Sequence, residues 1–271
     1  MKKILPYLFL LTCLSCEKKT EWPIQGMDSS RLVVDGMITN EIKAHSIRLT
    51  RTVNALNLPP DAVSGAGVII SDADSSWFLM EQPGHAGVYT TKNSFSAKPG
   101  TRYTLLVTVD GVVYSAKTIM RPNTPLTLLR YVKNANDNLY RITWVANPYN
   151  AVHPAMYEIL LDWSHVPGYA GLPPDSCKAH LYYFSLPTID VSQVFAPEME
   201  KIYFPKGTKI IERKYSLNEE HVEFIRAMIT ETCWKGGLFE SAPADVPTNI
   251  SNDALGFFAA CHVISDSMTV K

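Results

Sequence analysis

Residues 102–117, Arg102-Tyr-Thr-Leu-Leu-Val-Thr-Val-Asp-Gly-Val-Val-Tyr-Ser-Ala-Lys117, decide the fold class. Tyr103, Leu105, Val107 and Val109 recur at every second position, which places them on one face of an extended strand. Asp110-Gly111 separates that run from a second one, Val112 to Lys117. An Asp-Gly pair suits a two-residue hairpin turn, because both central positions need positive φ. The stretch reads as a β-hairpin with one buried face.

Upstream, strand-like runs cover Arg31 to Ile38, Ser46 to Thr52, Val68 to Ser71, Trp77 to Met80 and Gly87 to Thr90. Between two of them, Asp72-Ala-Asp-Ser-Ser76 reads as a turn; a calcium loop would need a glycine and a distal glutamate at fixed spacing, and neither follows. Together these are about seven short strands across residues 31–120, the pattern of a β-sandwich. Arg121-Pro-Asn-Thr-Pro125 reads as a linker, 121–125, since proline removes a ladder donor and stiffens such joins.

Residues 126–271 form a second β-rich region. Leu139 to Ala146 carries Tyr140, Ile142 and Trp144 on one face, and Met156 to Trp163, Leu181 to Leu186, Ile189 to Phe195 and Lys209 to Tyr215 follow. Leu255 to Ala260, then His262 to Val270, reads as a closing strand. One helix is expected near 217–233. Ser216-Leu-Asn-Glu219 fits a capping box, Val222, Ile225, Met228, Ile229 and Cys233 share a face, and Gly236-Gly237 ends it. The expected fold is mainly β: two β-sandwich domains, immunoglobulin-like or fibronectin-like, the second with one packed α-helix.

The first residues carry an address. Met1-Lys2-Lys3 is basic, and Ile4 to Leu14 is largely apolar but too short to span a bilayer. Small Ser15 precedes Cys16, the arrangement at which a lipoprotein signal is cut and the cysteine becomes a lipidated N-terminus. Residues 1–15 are the expected lipoprotein signal peptide, Cys16 the expected lipid anchor, and residues 16–30 a polar tether. An ordinary cleaved signal is the alternative. Several acyl chains on one cysteine hold firmly, at about 0.8 kcal/mol per buried methylene.

The chain of 271 residues is 46% hydrophobic and 19% charged, which fits a globular protein rather than a disordered one. Its net charge of −1 offers no basic excess for nucleic acid. Besides the expected anchor Cys16, Cys177, Cys233 and Cys261 remain after the signal; one pair could oxidise in an exported protein, with buried free thiols the alternative.

No motif names a reaction. None of the seven histidines forms H-E-x-x-H, and His221-Val-Glu223 reads as a solvated helix end. There is no G-x-S-x-G elbow and no glycine-rich phosphate loop, so neither a cofactor, a metal nor a catalytic residue is expected; a dispersed Ser-His-Asp triad or glutamate pair stays open. For ligand or partner binding the candidates are Trp163, His165 and Tyr169, on or beside a proline-stiffened loop, with Trp234 as a further patch. The competing reading makes Trp163 the end of a core strand.

Two patterns resemble known families. Val63-Ser-Gly-Ala-Gly-Val-Ile-Ile, Gly87-Val-Tyr and Pro99-Gly-Thr-Arg-Tyr103-Thr-Leu resemble the carboxypeptidase-regulatory-like and prealbumin-like sandwich. Leu32-Val-Val-Asp-Gly-Met-Ile-Thr-Asn40, Arg48-Leu-Thr-Arg-Thr52 and Pro247-Thr-Asn-Ile-Ser-Asn-Asp-Ala-Leu-Gly-Phe-Phe258 together resemble domain-of-unknown-function family 4249. That resemblance implies an outer-membrane lipoprotein working beside a TonB-dependent receptor, and no catalytic residues. Glu17-Lys18-Lys19-Thr20-Glu21 leaves the membrane face, periplasmic or cell-surface, undecided. The expected function is a lipid-anchored accessory protein that captures or presents a small-molecule, peptide or glycan ligand with that receptor. A structural or adhesion module is the runner-up, and a secreted hydrolase the third reading.

Overall fold

The computed structural model describes residues 30–53, 58–127, 129–145, 152–186, 201–232 and 246–271. Cys16, Cys233, Trp234, the expected strand at Ile189–Phe195 and the Trp144 side chain lie outside them. The chain forms β1 (Leu32–Thr39), β2 (Ser46–Arg51), β3 (Gly67–Ser71), β4 (Ser76–Glu81), β5 (Val88–Thr91), β6 (Arg102–Val109) and β7 (Val112–Ile119). Beyond these come β8 (Arg130–Lys133), β9 (Leu139–Trp144), β10 (Ala155–Asp162), β11 (Lys178–Ser185), β12 (Phe204–Pro205) and β13 (Lys209–Ser216). Helix α1 (Glu219–Thr232), β14 (Leu255–Cys261) and β15 (Val263–Thr269) complete the described elements. The described elements are mainly β-strands, arranged in sheets of eight, four and three strands.

The hairpin at 102–117 forms as its sequence dictates. β6 and β7 pair from Arg102↔Ile119 to Val109↔Val112, and the turn residues Asp110 and Gly111 have φ of 52° and 79°. Tyr103, Leu105, Val107 and Val109 are all buried. The Asp72 turn also forms: its Oδ1 accepts from the amides of Asp74 and Ser75, at 2.9 and 2.8 Å.

One sheet of eight strands, in the order β14-β1-β2-β5-β4-β3-β6-β7, wraps around the first core. Its strand from the far end of the sequence, β14, runs parallel to β1 from Leu255↔Val33 to Cys261↔Thr39. Phe258 and Ala260 point into the first core, while Phe257, Ala259 and Cys261 point into another apolar cluster shared with Tyr215, Val222 and Ile225. A strand buried on both faces needs a continuous apolar run, and Leu255-Gly-Phe-Phe-Ala-Ala-Cys261 is one. Thus β14 crosses the division expected at 121–125, and only β15 closes the second unit.

In that second unit a four-stranded sheet, β11-β10-β13-β15, faces a three-stranded one, β12-β9-β8. Tyr157, Ile159, Leu161, Trp163, Phe204 and Ile210 fill the space between. β8 and β12, four and two residues long, escape a periodicity reading because they are too short to show a period.

Helix α1 starts differently from the expected capping box. Asn218 is the cap: its Oδ1 accepts from the amide of His221 at 2.8 Å. Ser216 is the last residue of β13, and its hydroxyl donates to Arg121 O and accepts from His262 N. Val222 and Ile225 pack inward as expected, but Met228 is 43% exposed and Phe224 takes its place in the apolar contact. Nor is the expected linker loose. Asn123 donates from its amide to His262 Nδ1 and from its side chain to the carbonyls of Lys214 and His262. Lys214 Nζ in turn donates to the Thr124 carbonyl and hydroxyl.

Candidate functional site

The candidate binding residues separate in space. Trp163 follows β10 on its core side and is only 8% exposed, because odd-numbered residues of that strand face the inter-sheet core. The loop after it winds through successive turns, Val166 N–H to Trp163 O, Tyr169 N–H to Val166 O and Leu172 N–H to Tyr169 O. These turns lay Tyr169, half-buried, against the same core. His165 stays at the surface, its Nε2 3.0 Å from Gly207 O. Trp163 and Tyr169 are therefore brought together as packing, while His165 is apart from their rings.

Cys177 and Cys261 are free, buried thiols. His221 is not a solvated helix end: it is buried, stacked on Phe257 with ring centroids 4.9 Å apart, with Nδ1 3.8 Å from Cys261 Sγ. Burial pushes the thiol up to about 12 and the imidazole down to about 4. Both partners are neutral near pH 7, so the pair holds no thiolate for nucleophilic work.

A polar network overlooked by sequence periodicity occupies the other face of the four-stranded sheet. Glu158, buried on β10, accepts from Arg213 Nη1 at 3.1 Å and from the Tyr215 hydroxyl, and lies 2.8 Å from His180 Nε2. Arg213 Nη2 also contacts both Glu41 carboxylate oxygens, at 2.7 and 2.6 Å. One guanidinium thus ties the turn after β1 to β13. Burial opposes ionisation of Glu41, but the Lys43 hydrogen bond and the Arg213 charge outweigh it and hold its pKa down. Burial, then the acceptor Glu158, push the Tyr215 phenol up, so it remains a donor. Beside this network Tyr182 and Phe184 are 45% and 39% exposed. The one local signal was Glu158, a charge inside the apolar run of β10; Arg213 sits in β13 among other charged residues and does not stand out.

A cleft of about 520 Å³ opens where the eight-stranded sheet closes on itself. Ser115, Lys117, Asn249, Phe257 and the helix residues Glu220 and Glu223 line it. Its floor is built by the segment 248–252. Asn249 accepts from Phe258 N, donates to Phe258 O at 2.8 Å and reaches Lys117 O. Ser251 Oγ accepts from Ser115 N, Ser251 N donates to Ser115 O, and Asn252 donates to Val113 O. These side chains stand in for a strand between β14 and β7. The residues that carried the family resemblance therefore have a structural task at this seam.

The sequence pattern of a family described as "Domain of unknown function (DUF4249)" matches residues 18–267. The chain belongs to this family. Among curated proteins, none matches it. Among solved structures, the FN1–FN3 domains of chicken CNTN1 are similar at 13% identity and a TM-score of 0.30, over 68% of this chain. The likeness spans 60% of that chain's length. In this DUF4249 chain the mixed-charge cleft and the Glu158–Arg213 face each bring charged and polar side chains together among the described residues. Among the described residues no group of three His, Cys, Asp or Glu is placed to hold a metal.

Proposed function

We propose that this DUF4249 protein is a lipid-anchored outer-membrane accessory protein that captures or presents a ligand together with a TonB-dependent receptor. The observation that carries the reading is the N-terminal sequence: a basic start, an apolar run and Leu14-Ser15-Cys16, followed by polar residues before β1. Family membership supports it, as does the seam cleft, whose polar and apolar lining suits a small polar ligand.

Two measurements test it. Cys16→Ala removes fatty-acid labelling and shifts the protein from the membrane to the soluble fraction; a variant that stays membrane-bound in the same unlabelled state as wild type sinks the anchor. Mild crosslinking of membranes followed by purification of the full chain recovers a TonB-dependent receptor; its absence from the crosslinked partners defeats the second half of the reading.

A further inference from the structure

The edges of the sheets are treated unequally. The register of β10 and β11 continues into the bond from Trp163 N–H to Cys177 O, 2.9 Å, so the odd residues of β11 turn their main-chain groups toward β10. The N–H and C=O of Lys178, His180, Tyr182 and Phe184 therefore point away from the sheet. Among the described residues nothing pairs with them. At the opposite edge, Ser216 N–H to His262 O fixes the odd residues of β15 as the outward ones. There Asn40 takes both Val263 groups, through Oδ1 at 2.6 Å and Nδ2 at 3.1 Å, and Asp266 Oδ1 takes the Ser267 amide. The outward groups of β7 are met by Asn249, Ser251 and Asn252, as described for the seam. β8 and β12 are short, which itself blunts an edge. β11 is eight residues long, with no proline, no acidic residue and two exposed aromatic rings.

We propose that β11 is the docking edge for a second copy of this chain, which adds its own β11 antiparallel about a two-fold axis at Leu181. Only an extended backbone meets donors and acceptors that alternate along a strand, so the chemistry of the occupant follows from the edge. The strand is also its own complement. Centred on Leu181, each Lys178 opposes Phe184 and each His180 opposes Tyr182, so every outward residue meets an outward residue. A one-residue slip sets outward groups against inward ones. Centring on His180 opposes two imidazoles, and centring on Tyr182 leaves Lys178 unpaired. In the chosen register no like charges face each other, and two four-stranded sheets become one of eight.

The test uses the full chain purified in detergent, followed by sedimentation over a concentration series. Wild type shows a monomer–dimer equilibrium. Tyr182→Pro removes only an outward N–H, sparing the ladder to β10, and weakens dimerisation about tenfold or more with little change in the unfolding midpoint. Leu181→Cys, whose two copies face each other on the axis, yields a disulfide-linked dimer on oxidation, whereas Lys178→Cys, facing Phe184, does not. A chain that is monomeric throughout and uncrosslinked at Leu181→Cys overturns the proposal; so does a dimer indifferent to Tyr182→Pro. Either result leaves the membrane reading untouched, because Cys16→Ala tests that separately.

Discussion

The two units bury different chemistry. The eight-stranded unit encloses apolar side chains, and its buried polar residues are Thr39, His45, Thr50, Thr91 and Thr118, none carrying a formal charge near pH 7. Burial lowers the His45 pKa, and its Nε2 bonds Phe95 O at 3.1 Å. The second unit buries Glu158, Glu212 and Lys214 on two neighbouring strands. The first is held by packing and by closing its edges; the second also depends on ions being met. Its stability should therefore respond to charge and pH, while the first should respond to volume and backbone geometry.

The largest expected effect lies in the strand the two units share. Gly256 has φ of 92°, and a Cβ there would sit 1.9 Å from Val34 O, a backbone atom of β1 that cannot swing aside. Gly256→Ala adds both conformational strain and a forced separation of the parallel pair, an expected loss of about 4 kcal/mol or more. Denaturant unfolding measures it. Because β14 packs on the first core and, through its other face, on the cluster that holds Met156 and Tyr215 of the second unit, wild type should unfold in one transition, which this substitution moves as a whole. Two transitions, only one of them shifted, would break the view that β14 couples the units.

The second unit's counterpart is Arg213→Ala. It leaves Glu158 buried without its cation and cuts the tie to Glu41, at an expected cost of about 3 kcal/mol. Arg213→Lys should recover only part, since a single ammonium cannot span two carboxylates as a planar guanidinium does. The first unit offers the contrast: Arg51 pairs with Asp110, whose side chain is 83% exposed, and Arg51→Ala should move the midpoint hardly at all. Equal losses at Arg213 and Arg51 would erase the proposed difference between the units.

The same difference explains what could be read from the sequence. The strands of the first unit alternate apolar and polar residues because one face is wet, and β6 shows this residue by residue. β13 does not: Lys209-Ile-Ile-Glu-Arg-Lys-Tyr-Ser216 places Glu212 and Lys214 on the core face and Arg213 on the other, so no polarity contrast marks either side. β14 misled in the opposite sense, being apolar on both faces, and nothing local says that its second face meets α1. The candidate site suffered likewise. Trp163 and Tyr169 were visible as aromatics, but a ring's chemistry does not say whether it faces water. Glu158, Arg213 and Glu41 are far apart in sequence and meet only because β10 and β13 pair while the turn after β1 folds over them. Asn249 and Ser251 were legible as a motif, but not as the closure of a sheet.

A smaller change than either Gly256→Ala or Arg213→Ala gives the finest test. Glu212 is buried with Oε1 unpartnered, and burial pushes its pKa from 4.5 up to about 7; the Leu129 amide opposes the rise, nearby Asp266 adds to it, and Lys214 opposes it. Lys214 is itself pulled down by burial, being held instead to Thr124 and Pro125. The folded state therefore keeps a proton that the unfolded chain releases near pH 4.5. Between those two values the native state binds more protons, so stability falls as pH rises, and above about pH 7 the whole penalty is present. Glu212→Gln removes that slope while keeping the shape. At pH 5 it should match wild type closely, and at pH 8 it should be more stable by about 2 kcal/mol, read from unfolding midpoints across the range. If the two proteins run parallel from pH 5 to pH 8, Glu212 is ionised in the fold at all these values. The second unit would then hold a compensated charge there, and its pH response would have to come from the Glu158 face instead.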